Sequence, residues 1–106
     1  MAKYLFTGKF TAQGGKGVMG EGGSARVQAV SALVASLGGR LESYHFAFGE
    51  DDYVVIAELP DNVAAAAAGM AVSSSGAVSN RTVVLLTPEE VDQAARRSPT
   101  YRAPGG

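Results

Sequence analysis

The chain contains no cysteine, and that absence removes disulfides, thiolate metal sites and cysteine nucleophiles together. It holds one histidine, His45, so proton chemistry near neutral pH has a single candidate whose pKa needs no large displacement. No apolar run approaches the roughly 20 residues of a membrane span. The basic residues are scattered along the chain and the formal net charge is −1, which argues against a nucleic-acid footprint. Neither a charged leader nor a cleavage site precedes Tyr4-Leu5-Phe6, so the expected setting is soluble and cytoplasmic. A G-x-S-x-G elbow is also missing, and Ser73-Ser74-Ser75 has no neighbouring base, which excludes serine hydrolase chemistry.

What is present suits one domain over residues 1–106. A chain of this size buries about 60 to 70% of its unfolded surface, enough for a modest core. Lys3 to Thr11 is aromatic and β-branched and reads as a strand. A glycine-rich entry follows, and then Val27, Val30, Leu33 or Val34, and Leu37 form a helical stripe over residues 24–37 that Gly38-Gly39 stops. The start of that helix lies at Ser24 or nearer Gln13, because each interior glycine would cost about 1 kcal/mol. Arg40 to Phe48 and Tyr53 to Leu59 are separated by so few residues that they must form an antiparallel hairpin. Asp61 caps a second helix that runs to Ser73-Ser74-Ser75-Gly76, with Ala64 to Ala68 allowing close approach to a sheet. Val78 to Leu86 supplies a fourth strand, and Thr87-Pro88-Glu89-Glu90 is a capping box opening a short helix to about Arg97. Arg96-Arg97 complement that helix's C-terminus, and residues 98–106 read as a flexible tail. The order βαββαβ predicts an α+β, ferredoxin-like domain: a four-stranded antiparallel sheet with two helices on one face, plus the short C-terminal helix.

Gly15-Lys16-Gly17-Val18-Met19-Gly20 satisfies G-x-G-x-x-G, and Glu42 lies about 20 residues on, where a ribose contact would be. The immediate hairpin return leaves too few parallel units for a dinucleotide fold, so no nicotinamide or flavin cofactor is expected. Lys16 is followed by Gly17, not Ser or Thr, which removes a phosphate loop. The G-x-x-G of a KH module would have to join two helices, and here a strand precedes it.

His45 alternates with Ser43 and Ala47, opposite Tyr44, Phe46 and Phe48. On the uncovered sheet face it would serve as a general base in a cavity, or as a hydrogen-bonded structural histidine. Glu50, Asp51 and Asp52 diverge in direction at the hairpin tip, so they read as turn formers, with Asp52 capping turn amides, and no metal site is expected. Tyr53 to Ala57 and Val83 to Leu86 are apolar on both sides, as in strands covered on both faces. Helices cover one face, so the expected cover of the other is a second copy of the chain.

Tyr4-Leu5-Phe6-Thr7-Gly8, Lys16-Gly17, Gly22-Gly23-Ser24-Ala25-Arg26, Leu37-Gly38-Gly39, Phe48-Gly49-Glu50-x-Asp52, Leu59-Pro60-Asp61 and Thr87-Pro88-Glu89-Glu90, in that order and spacing, resemble the GYD domain proteins over nearly the whole chain. Asp51 stands where the tyrosine of the naming motif would be, while Gly49 and Asp52 match. The resemblance implies ferredoxin-like domains that pair through their sheets, a dimeric α+β barrel-like assembly, and it assigns no activity. Matching at Lys16, Arg26, Tyr101 and Arg102 makes these the implied anion pocket around the glycine-rich entry. The expected role is therefore a homo-oligomeric small-molecule-binding or accessory protein. One alternative is a cofactor-independent monooxygenase, isomerase or cyclase, with His45, Tyr44 and Phe46 in a pocket for an aromatic or polyketide-like substrate. The other is a purely structural oligomer.

Overall fold

A computed structural model describes all 106 residues. The elements are β1 (Ala2–Phe10), α1 (Ala12–Glu21), α2 (Gly23–Ser36), β2 (Arg40–Phe46), β3 (Tyr53–Leu59), α3 (Asn62–Ser74), β4 (Val78–Leu85) and α4 (Pro88–Ala95). The strands form one sheet in the order β2-β3-β1-β4, and every neighbouring pair is antiparallel. This is the ferredoxin-like α+β arrangement. No helix is long and apolar enough to cross a membrane.

The core lies between the helices and one sheet face. Alternation along β1 and β3 sends Tyr4 and Phe6, with Tyr53, Val55, Ala57 and Leu59, to that side, where Val34 of α2 and Ala65 and Ala68 of α3 meet them. The alanines let α3 lie close on the sheet, as their run anticipates. Asp61 caps α3 through the amide of Ala64 at 2.9 Å, and the Tyr4 hydroxyl donates to Asn62 Oδ1 at 2.7 Å, tying the helix start to the central strand. Val55 is thus a core residue, whereas Val54 points to the uncovered face.

The first crossover departs from expectation. The glycine-rich stretch is not an entry loop but a helix of its own, α1, and the helix beyond it begins at Gly23. Thr11 supplies the missing start signal: its hydroxyl oxygen accepts from the Gly14 amide at 3.1 Å and donates to the Gly76 carbonyl at 2.8 Å. Among the glycines from Gly14 to Gly23 only Gly22 has a positive φ, 85°, and it separates α1 from α2. Gly14 passes so close to Ala77 that a Cβ would run into the Ala77 carbonyl, whereas a Cβ at Gly15 or Gly17 would meet nothing.

Two ends are shorter than the sequence suggests. β2 stops at Phe46: one further in-register bond, from the Ala47 amide to the Asp52 carbonyl at 2.8 Å, closes the hairpin, and Phe48 beyond it stands fully in solvent. α4 ends at Ala95 rather than Arg97. Its capping box is complete, with Thr87 N–H donating to Glu90 Oε1 at 2.8 Å and Glu90 N–H to Thr87 Oγ1 at 3.1 Å. Every residue from Leu86 onward is exposed, and residues 98–106 contain no helix or strand.

Because Gly15 and Gly17 are helical and unopposed, replacing either by alanine is expected to stabilise the protein by about 1 kcal/mol. Gly39→Ala would force a Cβ into the Glu58 carbonyl and the Leu59 side chain, so it is expected to destabilise by roughly 1–3 kcal/mol. Thermal unfolding of the three variants checks this; a loss of stability in Gly15→Ala would contradict α1 as a helix.

Candidate functional site

α2 packs along β2 and α3 along β4, while α1 lies above the end of β1. The split helix layer leaves a cavity of about 440 Å³ between the helices and the sheet. Its floor is aromatic. Phe6 and Phe10 of β1, Tyr44 of β2 and Tyr53 of β3 all line it, with ring centroids 5.5 Å apart for Phe10 and Tyr53 and 6.4 Å apart for Tyr44 and Tyr53. Val30 and Leu33 of α2 and Val72 of α3 form the apolar wall opposite.

Polar groups enter at separate places. Tyr53 and Asn80 stand on β3 and β4, each opposite Gly8 of β1, and the Tyr53 hydroxyl donates to Asn80 Oδ1 at 2.6 Å across that residue. A Cβ on Gly8 would meet the Tyr53 hydroxyl and the Ser79 carbonyl, so the bridge requires glycine there. Burial pushes the Tyr53 phenol up to about 12, helped by Tyr44, Asp51 and Asp52. Burial also raises the Tyr44 phenol, and the Arg26 guanidinium opposes that rise. Arg26 and Glu21 flank the break between α1 and α2, with Nη1 and Oε1 3.5 Å apart, and both line the cavity.

Of the residues singled out from the sequence, Arg26 and Tyr44 come together at this cavity. Lys16 is exposed on α1 outside the lining, and Tyr101 and Arg102 are exposed beyond α4, so the four-residue anion pocket is not assembled within one chain. His45 pairs with Val54 across the hairpin and points to the uncovered face, exposed and away from the cavity. The glycines at 15, 17 and 20 are spread through α1 itself, so they do not form a phosphate turn ahead of a helix. Asp52 does not cap the turn: its carboxylate accepts from the Phe10 amide at 2.9 Å, at the end of β1, and Asp51 pairs with Arg81 at 2.7 Å.

Asn80, Tyr53 and Glu21 also line the cavity, and pattern reading passes over them. Asn80 carried a faint signal, a polar residue between Val78 and Thr82 on the helix-covered face of β4.

The Tyr53 shift has a definite consequence. An unfolded tyrosine ionises near pH 10, whereas the folded phenol holds its proton to about 12. Its contribution to stability is therefore full below pH 10 and is lost as pH rises from 10 to 12. Denaturation followed across that range should show a steep loss in the wild type and a shallower one in Tyr53→Phe; identical slopes would contradict the buried phenol.

Comparison with known proteins adds the lineage. No curated protein matches the chain at a significant level. The family model described as GYD domain matches residues 4–95, which takes in the sheet apart from Ala2 and Lys3 of β1 and the whole lining of the cavity. The chain belongs to the GYD domain family.

Proposed function

We propose that this protein is a homo-oligomeric, cytoplasmic small-molecule-binding protein that takes its ligand between the helices and the sheet, while a second copy covers the open sheet face. The observation that carries the reading is the cavity itself. Its volume, about 440 Å³, lies within the roughly 300–1,000 Å³ of ligand sites, and a few polar groups stand among aromatic and aliphatic walls. The enzyme reading would need its general base in this space, and His45 lies on the other face.

Self-association is supported by the composition of the uncovered face. Leu5 pairs with Ile56 on one side and Val83 on the other, and Val54 and Leu85 extend the same apolar patch. Val54 and Val83 are 36% and 44% exposed, so a hydrophobic strip is open along the middle of the sheet. Lys3–Glu42, Arg40–Glu58 and Arg81–Asp51 ion pairs stand around it, an apolar centre with a charged rim.

Two measurements test the reading. The uncharged fluorophore 1-aminoanthracene should gain intensity on binding the wild type, and Ala71→Trp, which fills the cavity from α3, should abolish the gain without lowering thermal stability. Equal gain in both proteins would place the probe elsewhere and defeat the ligand site. Light scattering at micromolar concentration should give a multiple of the 10.8 kDa chain mass, falling to one chain in Val83→Glu with an unchanged circular dichroism spectrum. A wild-type monomer would defeat the oligomer.

A further inference from the structure

Only two charged residues line the cavity, Arg26 and Glu21, and they are not equivalent. The Arg26 side chain is 33% exposed and that of Glu21 44%, so the cation is the more enclosed of the two. Their contact is a single one at 3.5 Å, and Arg26 makes no other ion pair or side-chain hydrogen bond. A guanidinium has five N–H donors in a planar fork, so most of that fork is free for a second partner. The Tyr53 and Asn80 polar groups in the lining are already committed to one another: the Tyr53 hydroxyl donates to Asn80 Oδ1 at 2.6 Å and Asn80 Nδ2 donates to Thr82 Oγ1 at 3.2 Å.

We infer that the cavity takes an aromatic monocarboxylate, its one or two rings packed among Phe6, Phe10, Tyr44 and Tyr53 and its carboxylate held by Arg26 at the break between α1 and α2. The inference rests on the cavity being the ligand site and adds the class of ligand. Flat rings suit a floor of tilted aromatic side chains, which present edges and faces for offset contact. A carboxylate suits a guanidinium whose fork is mostly unspent, and it would take over from Glu21 the role of partner. Glu21 then acts as a competing anion, weakening the site for acids by its presence at the mouth.

The test compares 2-naphthoate with its uncharged counterpart 2-naphthalenemethanol by calorimetry at neutral pH, on the wild type, Arg26→Met and Glu21→Gln. Methionine keeps a long apolar stem at a partly exposed position, so the fold is retained. The wild type should bind the acid about tenfold more tightly than the alcohol; Arg26→Met should bring the two to equal affinity, and Glu21→Gln should widen the gap. Equal binding of acid and alcohol by the wild type overturns the ligand class and leaves the cavity as a site. A preference for the acid that survives Arg26→Met overturns the role of Arg26. Failure of both compounds to bind, together with no 1-aminoanthracene signal, overturns the cavity and the ligand class together.

Discussion

The Tyr53–Asn80 hydrogen bond across Gly8 is the contact on which the helix side of the sheet depends. It joins β3 to β4 over a central strand that has no side chain at that point, so the Tyr53 hydroxyl can pass where a Cβ would otherwise crowd it. Buried polar groups need partners, and this pairing satisfies both at once. Phe10 and Tyr44 pack against the Tyr53 ring, with centroids 5.5 and 6.4 Å away, and all three line the cavity. The cavity is thus a product of strand register and one glycine, with the helices acting as walls.

Those walls explain why the space is not filled. A single long helix crossing from β1 to β2 would press its apolar stripe on the sheet along its whole length. Gly22 divides the crossover, so α2 reaches the sheet through Val34, with Val30 and Leu33 along the same wall, while α1 stays nearer the end of β1. Arg26 falls in the first turns of α2, beside that division, which places a cation at the mouth of an otherwise apolar space. The opposite sheet face has no wall at all, and its apolar strip accounts for the strands that are hydrophobic on both sides. One face holds the proposed ligand and the other the proposed partner copy, so binding and assembly use different surfaces of the same four strands.

Much of this is legible in the amino-acid order. Strong local signals, such as the short 46–53 connection, the Asp61 cap and the Thr87 capping box, locate β2, β3, α3 and α4 because each depends on neighbours in sequence. A helix start near Gln13 stays only one of two alternatives in the sequence because intrinsic propensity argues against it, and what favours α1 is tertiary: Thr11 bonding across to Gly76, and Gly14 passing against Ala77. Arg26, singled out through the family resemblance, and Tyr44, singled out as a polar group among aromatics, both line the cavity. Lys16, Tyr101 and Arg102 are grouped with Arg26 by the resemblance, yet all three are exposed and outside the lining of the cavity. His45 drew attention by its solitude in composition, a property that says nothing of which face a strand residue occupies.

The central claim is that ligand binds between helices and sheet, and the most direct measurement is a two-dimensional amide NMR titration with 1-aminoanthracene. The account predicts that the perturbed signals belong to Val30, Leu33, Tyr44, Tyr53 and Val72, the residues around the cavity. Perturbation centred instead on Leu5, Val54, Ile56 and Val83, across the uncovered face of the sheet, would contradict it.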